Sequence, residues 1–333
     1  MIKSAYLEIT NACNLNCRYC YNKSEHFSFS ELPLPEIKKV ISYCSRNKAE
    51  IIFSGGEPFL FSSIKELISI VEIEKQIAFH IVTNGTVVPF EQIKNIKNLF
   101  LHISLDSINP VFNASTRGDY DHNRVIGLIR RLGELNKRFY VNMVITRKNI
   151  GEIADLYRFV VENNGIPQFS FVQYQSLAVR NWSDLSLTTS EKINCLNIIH
   201  NLNEKSMIKS NNAGCLSMCP ITIMNSKINI AIDVLGRIYP CQSVRSSELM
   251  LGNLADVSDL SNLHTKILVL QDIMSKRRKM NYGCDACFLS DICYRGCLSE
   301  ANNLNNDLFA TDGNCDIRRW QYLFLLKRDN NEF

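Results

Sequence analysis

The chain has 333 residues, 46% of them hydrophobic, enough to bury one large core or a main domain with a smaller appendage. Lys and Arg (37) nearly balance Asp and Glu (33), and the densest basic stretch is KRRK at 276–279, so composition gives little support to a nucleic-acid partner. No run of 18 apolar residues occurs and the N-terminus has no continuous apolar segment, which gives the expectation of a soluble, cytoplasmic protein without a membrane partner.

From residue 3 to about 175, short β-branched runs alternate with longer amphipathic ones. The strand-like runs are 4–10, 50–54, 77–83, 99–105, 139–146 and 167–174. Between them the apolar spacing predicts helices over 35–47, 62–74, 90–97, 122–137 and 150–164, the last closed by Asn164-Gly165. Six β units joined by helices imply a parallel sheet with right-handed crossovers, curled into a partial (β/α)6 TIM-like barrel. Its site is then expected at the C-terminal ends of the strands. A further helix over about 189–208 closes this region. Beyond it the texture changes to short segments with frequent Asn and Gly, so the domains are expected at 1–208 and 209–333.

The thirteen cysteines are too few for a small disulfide scaffold and too clustered for chance. In a cytosolic chain such clusters point to metal or redox centres. Cys13, Cys17 and Cys20 fall in the loop after the first strand. Zinc sites and common iron-sulfur clusters take four protein ligands, so a trio suggests a centre with one position left open. Eight more lie between 215 and 315: Cys215, Cys219, Cys241, Cys284, Cys287, Cys293, Cys297 and Cys315. Cys44 and Cys195 stand at helical spacing among apolar residues and read as core.

CNLNCRYC at 13–20, followed by SGGEP at 54–58, resembles the radical S-adenosylmethionine (SAM) superfamily. The resemblance implies a [4Fe-4S] cluster on Cys13, Cys17 and Cys20, with SAM chelated at the open iron and cleaved reductively to a 5′-deoxyadenosyl radical. It also implies SAM contacts at Gly55, Gly56, Glu57 and Pro58. Gly55 and Gly56 would let backbone approach the methionyl end, and Glu57 would accept from its ammonium. Thr83, Asn84 and Ser104, at strand ends, would reach the ribose or carboxylate. Arg117 in STRG is a candidate for the carboxylate, and Tyr19 for flanking the adenine.

The later cysteines, with Gly236 and Cys241 as G-x4-C and 284–297 as C-x2-C-x5-C-x3-C, look like the SPASM extension of peptide- and protein-modifying radical SAM enzymes. By that resemblance two auxiliary [4Fe-4S] clusters are held, one by Cys215, Cys219, Cys241 and Cys297 and the other by Cys284, Cys287, Cys293 and Cys315. That makes three clusters in a cysteine-rich domain expected to have little apolar core of its own.

The function implied is hydrogen abstraction from a residue of a ribosomally made peptide, ending in an oxidative crosslink such as a thioether or C–C bond. Alternatives are a peptide epimerase, a formylglycine former or a small-molecule dehydrogenase. Against formylglycine formation, Tyr21-Asn22 and Gln242 replace the aromatic-tyrosine pair and the base typical of sulfatase maturation. The partners implied are the precursor peptide and a flavodoxin or ferredoxin-type electron donor. Because the barrel pattern starts at residue 3, no leader-binding domain is expected ahead of it, and the expectation is that a separate protein presents the peptide or that the enzyme binds it directly. The segment 174–188, with Arg180 and Trp182, is a candidate peptide contact.

Overall fold

The computed structural model describes residues 2–23, 28–118, 120–206, 228–256, 260–280, 283–291 and 293–329. Strands β1 (Ile2–Thr10), β2 (Glu50–Gly55), β3 (Phe79–Thr83), β4 (Leu99–Ser104), β5 (Phe139–Ile145) and β6 (Ile166–Phe171) pair in parallel in chain order. The connections carry α1 (Leu34–Asn47), α2 (Ile64–Ile73), α3 (Phe90–Ile93), α4 (Pro110–Arg117), α5 (His122–Glu134) and α6 (Ile153–Glu162). Two single-turn helices, α7 (Leu177–Arg180) and α8 (Trp182–Leu185), and the long α9 (Thr189–Ser206) follow β6.

Alternation along each strand separates two faces. Ile51, Phe53, Phe79, Ile81, Leu101, Val141 and Met143 are buried on the face covered by the helices, where Phe53 and Phe79 stack at 5.9 Å. Each such aromatic contributes roughly 1.5–3 kcal/mol by leaving water. The opposite face carries Tyr6, Glu8, Ser54, His80, His102, Ser104, Asn142 and Gln168, a polar lining for the concave side of the sheet. The helices supply the matching apolar stripe: α5, N-capped by Asp121 accepting from the Arg124 amide at 3.1 Å, buries Val125, Leu128, Ile129 and Leu132.

The chain departs from the expected elements where caps intervene. The helix expected over 122–137 stops at Glu134, because Asn136 turns left-handed (φ +50°). The one expected over 150–164 opens with a 3₁₀ turn at Ile150–Glu152 and ends before Asn164, at φ +59°. Helix α4 had no expected counterpart. Asn109 caps it, Pro110 begins it and Gly118 (φ +83°) stops it, which delivers Thr116 and Arg117 under the barrel mouth.

The expected boundary at 208/209, with Cys215 and Cys219, lies outside the described residues. Past it, β7 (Ile228–Ile232) pairs parallel to β1, and β8 (Arg237–Tyr239) and β9 (Gly252–Asn253) follow antiparallel. The result is one nine-stranded sheet in the order β6-β5-β4-β3-β2-β1-β7-β8-β9. Ile228, Ile230, Ile232, Ile238, Leu251 and Leu254 join the main core. The C-terminal region therefore grows out of the barrel's own sheet. Helices α10 (His264–Lys279), α11 (Leu298–Asn305) and α12 (Cys315–Asp329) complete it. It also has a small apolar cluster of its own, Tyr239, Val244, Leu249, Leu270, Met274 and Leu298. Among the described residues no helix is long and apolar enough to cross a membrane.

Candidate active site and iron-sulfur centres

The cysteine trio and the SGGE turn leave adjacent parallel strands at the same end and are stitched backbone to backbone. The Gly56 amide donates to the Thr10 carbonyl, and the Glu57 amide to Ala12, both at 2.7 Å. A Cβ on Gly55 would stand 2.1 Å from the Thr10 oxygen, and one on Gly56 2.1 Å from the Ala12 oxygen. The expected reason for these glycines, approach of backbone to SAM, gains a nearer one: they let the cysteine loop lie against the second strand's exit.

Glu57 is fully buried, and both its oxygens are engaged. Oε1 accepts from Thr83 Oγ1 at 2.7 Å and Oε2 from the Asn84 amide at 2.7 Å, while the Phe59 amide donates at 3.3 Å from the turn that Pro58 begins. Burial pushes its carboxyl up to about 7, against those hydrogen bonds. Asn84 passes the connection on, its Nδ2 donating to Asn14 Oδ1 at 2.9 Å and its Oδ1 accepting from Thr86. Thus Glu57, Thr83 and Asn84 form a buried scaffold behind the cysteine loop.

Tyr19 and Arg117 meet on Asp106, two residues past Ser104 at the end of β4. Asp106 accepts from Tyr19 Oη at 2.5 Å, Thr116 Oγ1 at 2.7 Å, Arg117 Nη2 at 3.1 Å and the Val144 amide at 3.1 Å. Burial lifts the Tyr19 hydroxyl well above its ordinary value. The Arg117 cation survives burial, which alone would depress it, because Asp106 and neighbouring groups hold it up. Its Nε is buried without a partner among the described residues, a donor open to an anionic group. Ser104 stands part-exposed on the lining, paired in register with Asn142, and sequence reasoning passed over Asn142 because alternation alone marks the inward face of a strand without saying which inward residue is used.

The segment after β6 clamps the cysteine loop. Ser176 Oγ donates to the Tyr21 carbonyl at 2.8 Å, and the Leu177 amide to Cys20 at 3.3 Å. Asn181 Oδ1 accepts from Arg18 Nη2 at 3.0 Å while its Nδ2 donates to the Arg18 carbonyl at 3.0 Å, and Arg18 also pairs with Asp184 at 2.8 Å. Tyr19 and Trp182 pack with Val172, Ala178 and Leu185. Part of the segment 174–188 is taken up by these bonds to the cysteine loop, while Val179 and Arg180 are exposed.

Cys13, Cys17 and Cys20 are part-exposed, and burial pushes the Cys17 thiol up to about 11, a cost that a metal ligated there would reverse. In the C-terminal region Cys284, Cys287, Cys293 and Cys315 line one cavity with Arg278, Arg295, Arg318 and Arg319. Desolvation opposes the Cys287 thiolate, but the Leu289 amide and the Arg319 guanidinium outweigh it and lower that thiol. The cations beside these four thiols favour thiolates, while among the described residues no three Cys, His, Asp or Glu side chains stand close enough together to hold a metal ion. Cys241 packs against the small apolar cluster, Cys297 directly precedes its Leu298, and Ser299 Oγ donates to the Ser243 carbonyl. Cys44 and Cys195 are fully buried in the main core.

A parallel partial barrel with three thiols on its first loop, extended by a cysteine-rich region, defines a class. Residues 7–160 match the model of the Radical SAM superfamily, and the chain is a radical SAM enzyme. It is 23% identical to the PqqA peptide cyclase of Bradyrhizobium diazoefficiens, over 93% of this chain and 85% of that protein. Among solved structures it shares its fold with anSMEcpe with bound AdoMet (TM-score 0.78, 17% identity, 99% and 96% coverage). It shares it also with Streptococcus suis SuiB bound to the precursor peptide SuiA (TM-score 0.75, 18% identity, 95% of this chain and 76% of that one).

Proposed function

We propose that this radical SAM enzyme matures a ribosomally made peptide, abstracting hydrogen from one residue and completing a two-electron oxidation that closes a thioether or carbon-carbon crosslink. The observation that carries the peptide class is the near full-length likeness to a peptide cyclase, which spans the cysteine-rich region as well as the barrel.

Cys13, Cys17 and Cys20 would hold a [4Fe-4S] cluster that supplies an electron to SAM. Cys284, Cys287, Cys293 and Cys315 would hold one auxiliary cluster, and Cys241 and Cys297, with Cys215 and Cys219, a second. The residues around them have their own tasks. Gly55 and Gly56 keep the cysteine loop against β2, and Glu57, Thr83 and Asn84 keep that loop from sagging into the lumen. Arg117 Nε offers a donor to the SAM carboxylate, with Asp106 fixing the guanidinium. Ser104 and Asn142 present a hydroxyl and an amide to a ribose. A precursor peptide, and an electron donor of flavodoxin or ferredoxin type, are the partners this reading requires.

The test is anaerobic reconstitution followed by incubation with SAM, dithionite and synthetic peptides taken from any short reading frames found beside this gene. The expected results are about twelve irons per chain, deoxyadenosine formation and a peptide lighter by two hydrogens. A peptide unchanged in mass but carrying a D-residue would make the enzyme an epimerase, and no change in any peptide with steady deoxyadenosine release would point to a small molecule.

A further inference from the structure

One side chain of the Cys241 loop reaches back to the barrel mouth. Arg245 Nη2 donates to Glu8 on the inward face of β1 and, at 3.2 Å, to Asn22 Oδ1, just past the third cysteine of the trio. Asn22 Nδ2 in turn donates to the Gly55 carbonyl at 2.6 Å. The guanidinium carbon lies 5.9 Å from the ring centres of both Tyr21 and Tyr239. Tyr21 is anchored from below, its hydroxyl 2.9 Å from that of Tyr6, which donates to Ser54 Oγ at 2.6 Å. Glu8 is 6% exposed, so its carboxylate depends on this partner, whereas the Arg245 side chain keeps 34% of its surface and is not trapped by burial.

We propose that Arg245 is a positioning residue that ties the seating of the Cys241 loop to the Gly55 turn through Asn22, so that the SAM site takes its full shape only when the C-terminal region is docked. The inference rests on the radical SAM assignment and not on the peptide. A guanidinium suits the task because it is planar, lies between two rings and donates in two directions at once, while an ammonium is a compact point charge. The position four residues after a cysteine lets a small shift of that loop reach the first glycine of SGGE through two hydrogen bonds.

The test uses the reconstituted full chain with SAM and dithionite and no peptide, comparing Arg245→Lys, Arg245→Met and the pair Glu8→Gln/Arg245→Met, which leaves no unpaired buried charge. The expected outcome for the double variant is wild-type iron content, a KM for SAM raised about 10-fold and kcat within about 3-fold. The change that SAM induces in the EPR signal of the reduced cluster should need correspondingly more SAM. Arg245→Lys should recover only part of the loss. Wild-type KM and an unshifted EPR titration in the double variant would overturn the proposal, and so would loss of iron from the double variant, which would make the pair a folding element. A wild-type chain that binds SAM without releasing deoxyadenosine would sink the functional assignment instead, and the EPR titration would still decide the role of Arg245.

Discussion

At the scale of single residues, Glu57 shows how a motif acquires a second use. Its carboxyl accepts from a hydroxyl and an amide inside the barrel wall and is lifted by burial from an ordinary 4.5 to about 7. The folded chain therefore holds this proton more tightly than the unfolded chain does. The stability it contributes is complete below pH 4.5, declines as pH rises toward 7 and is flat above, a loss on the order of 3–4 kcal/mol at about 1.4 kcal/mol per unit. Glu57→Gln cannot titrate, and it turns an amide toward the Asn84 N–H, so it should start about 1–3 kcal/mol less stable at pH 5. Thermal unfolding of iron-free protein between pH 5 and 8 should show the gap closing as pH rises, and parallel curves would contradict the assignment. The sequence made SGGEP legible as a motif. It could not show that Gly55 and Gly56 answer to Thr10 and Ala12, because that contact forms between two loops more than forty residues apart in the chain.

At the scale of elements, all six barrel strands and most of their helices were legible from apolar periodicity, since each buries one face and solvates or lines a cavity with the other. Three kinds of element were not. Helix α4 is short and framed by polar residues that read as a linker. Helices α7 and α8 are single turns held by tertiary bonds, with Ser176 driven to φ +46° at their entrance. Strands β7 to β9 owe their place to pairing with β1, which no local pattern encodes. The clamp formed by α7 and α8 has a measurable task. Asn181→Ala removes the four hydrogen bonds its side chain makes with Arg18 and Leu177. Melting of the iron-free chain should move little, while a chelator should strip iron from the first cluster about 10-fold faster, equivalent to about 1.4 kcal/mol. Equal rates in variant and wild type would leave α7 and α8 as a simple cover.

At the scale of the whole molecule, the cysteine-rich region was expected to hang on its metals alone. The structure gives it a sheet shared with the barrel and a polar anchor at Arg277. This guanidinium is completely buried and donates to the carbonyls of Leu308, Tyr294, Gly296, Arg295 and Ala310 at 2.5–3.3 Å, tying α10 to the backbone between Cys293 and Cys315. Arg277→Met strands those carbonyls, at about 1–3 kcal/mol for each one left dry. Hydrogen exchange should then quicken across 293–312 and leave β2 to β5 unchanged. Acceleration spread evenly over the barrel would instead mean that the two regions open as one unit. Neither the Arg277 anchor nor the Glu8 and Arg245 contact was legible, the latter because its partners stand 237 positions apart.

Because β7 occupies the flank that an open barrel would leave bare, the strand that leads into the thiol loop lies in the interior of the ladder, with neighbours on both sides. Fraying starts at the rims of a sheet and reaches such a strand last. Damage or heating that peels away β6 or β9 would spare the root of the metal loop, so an oxygen-sensitive centre is carried by the part of the backbone that opens least often.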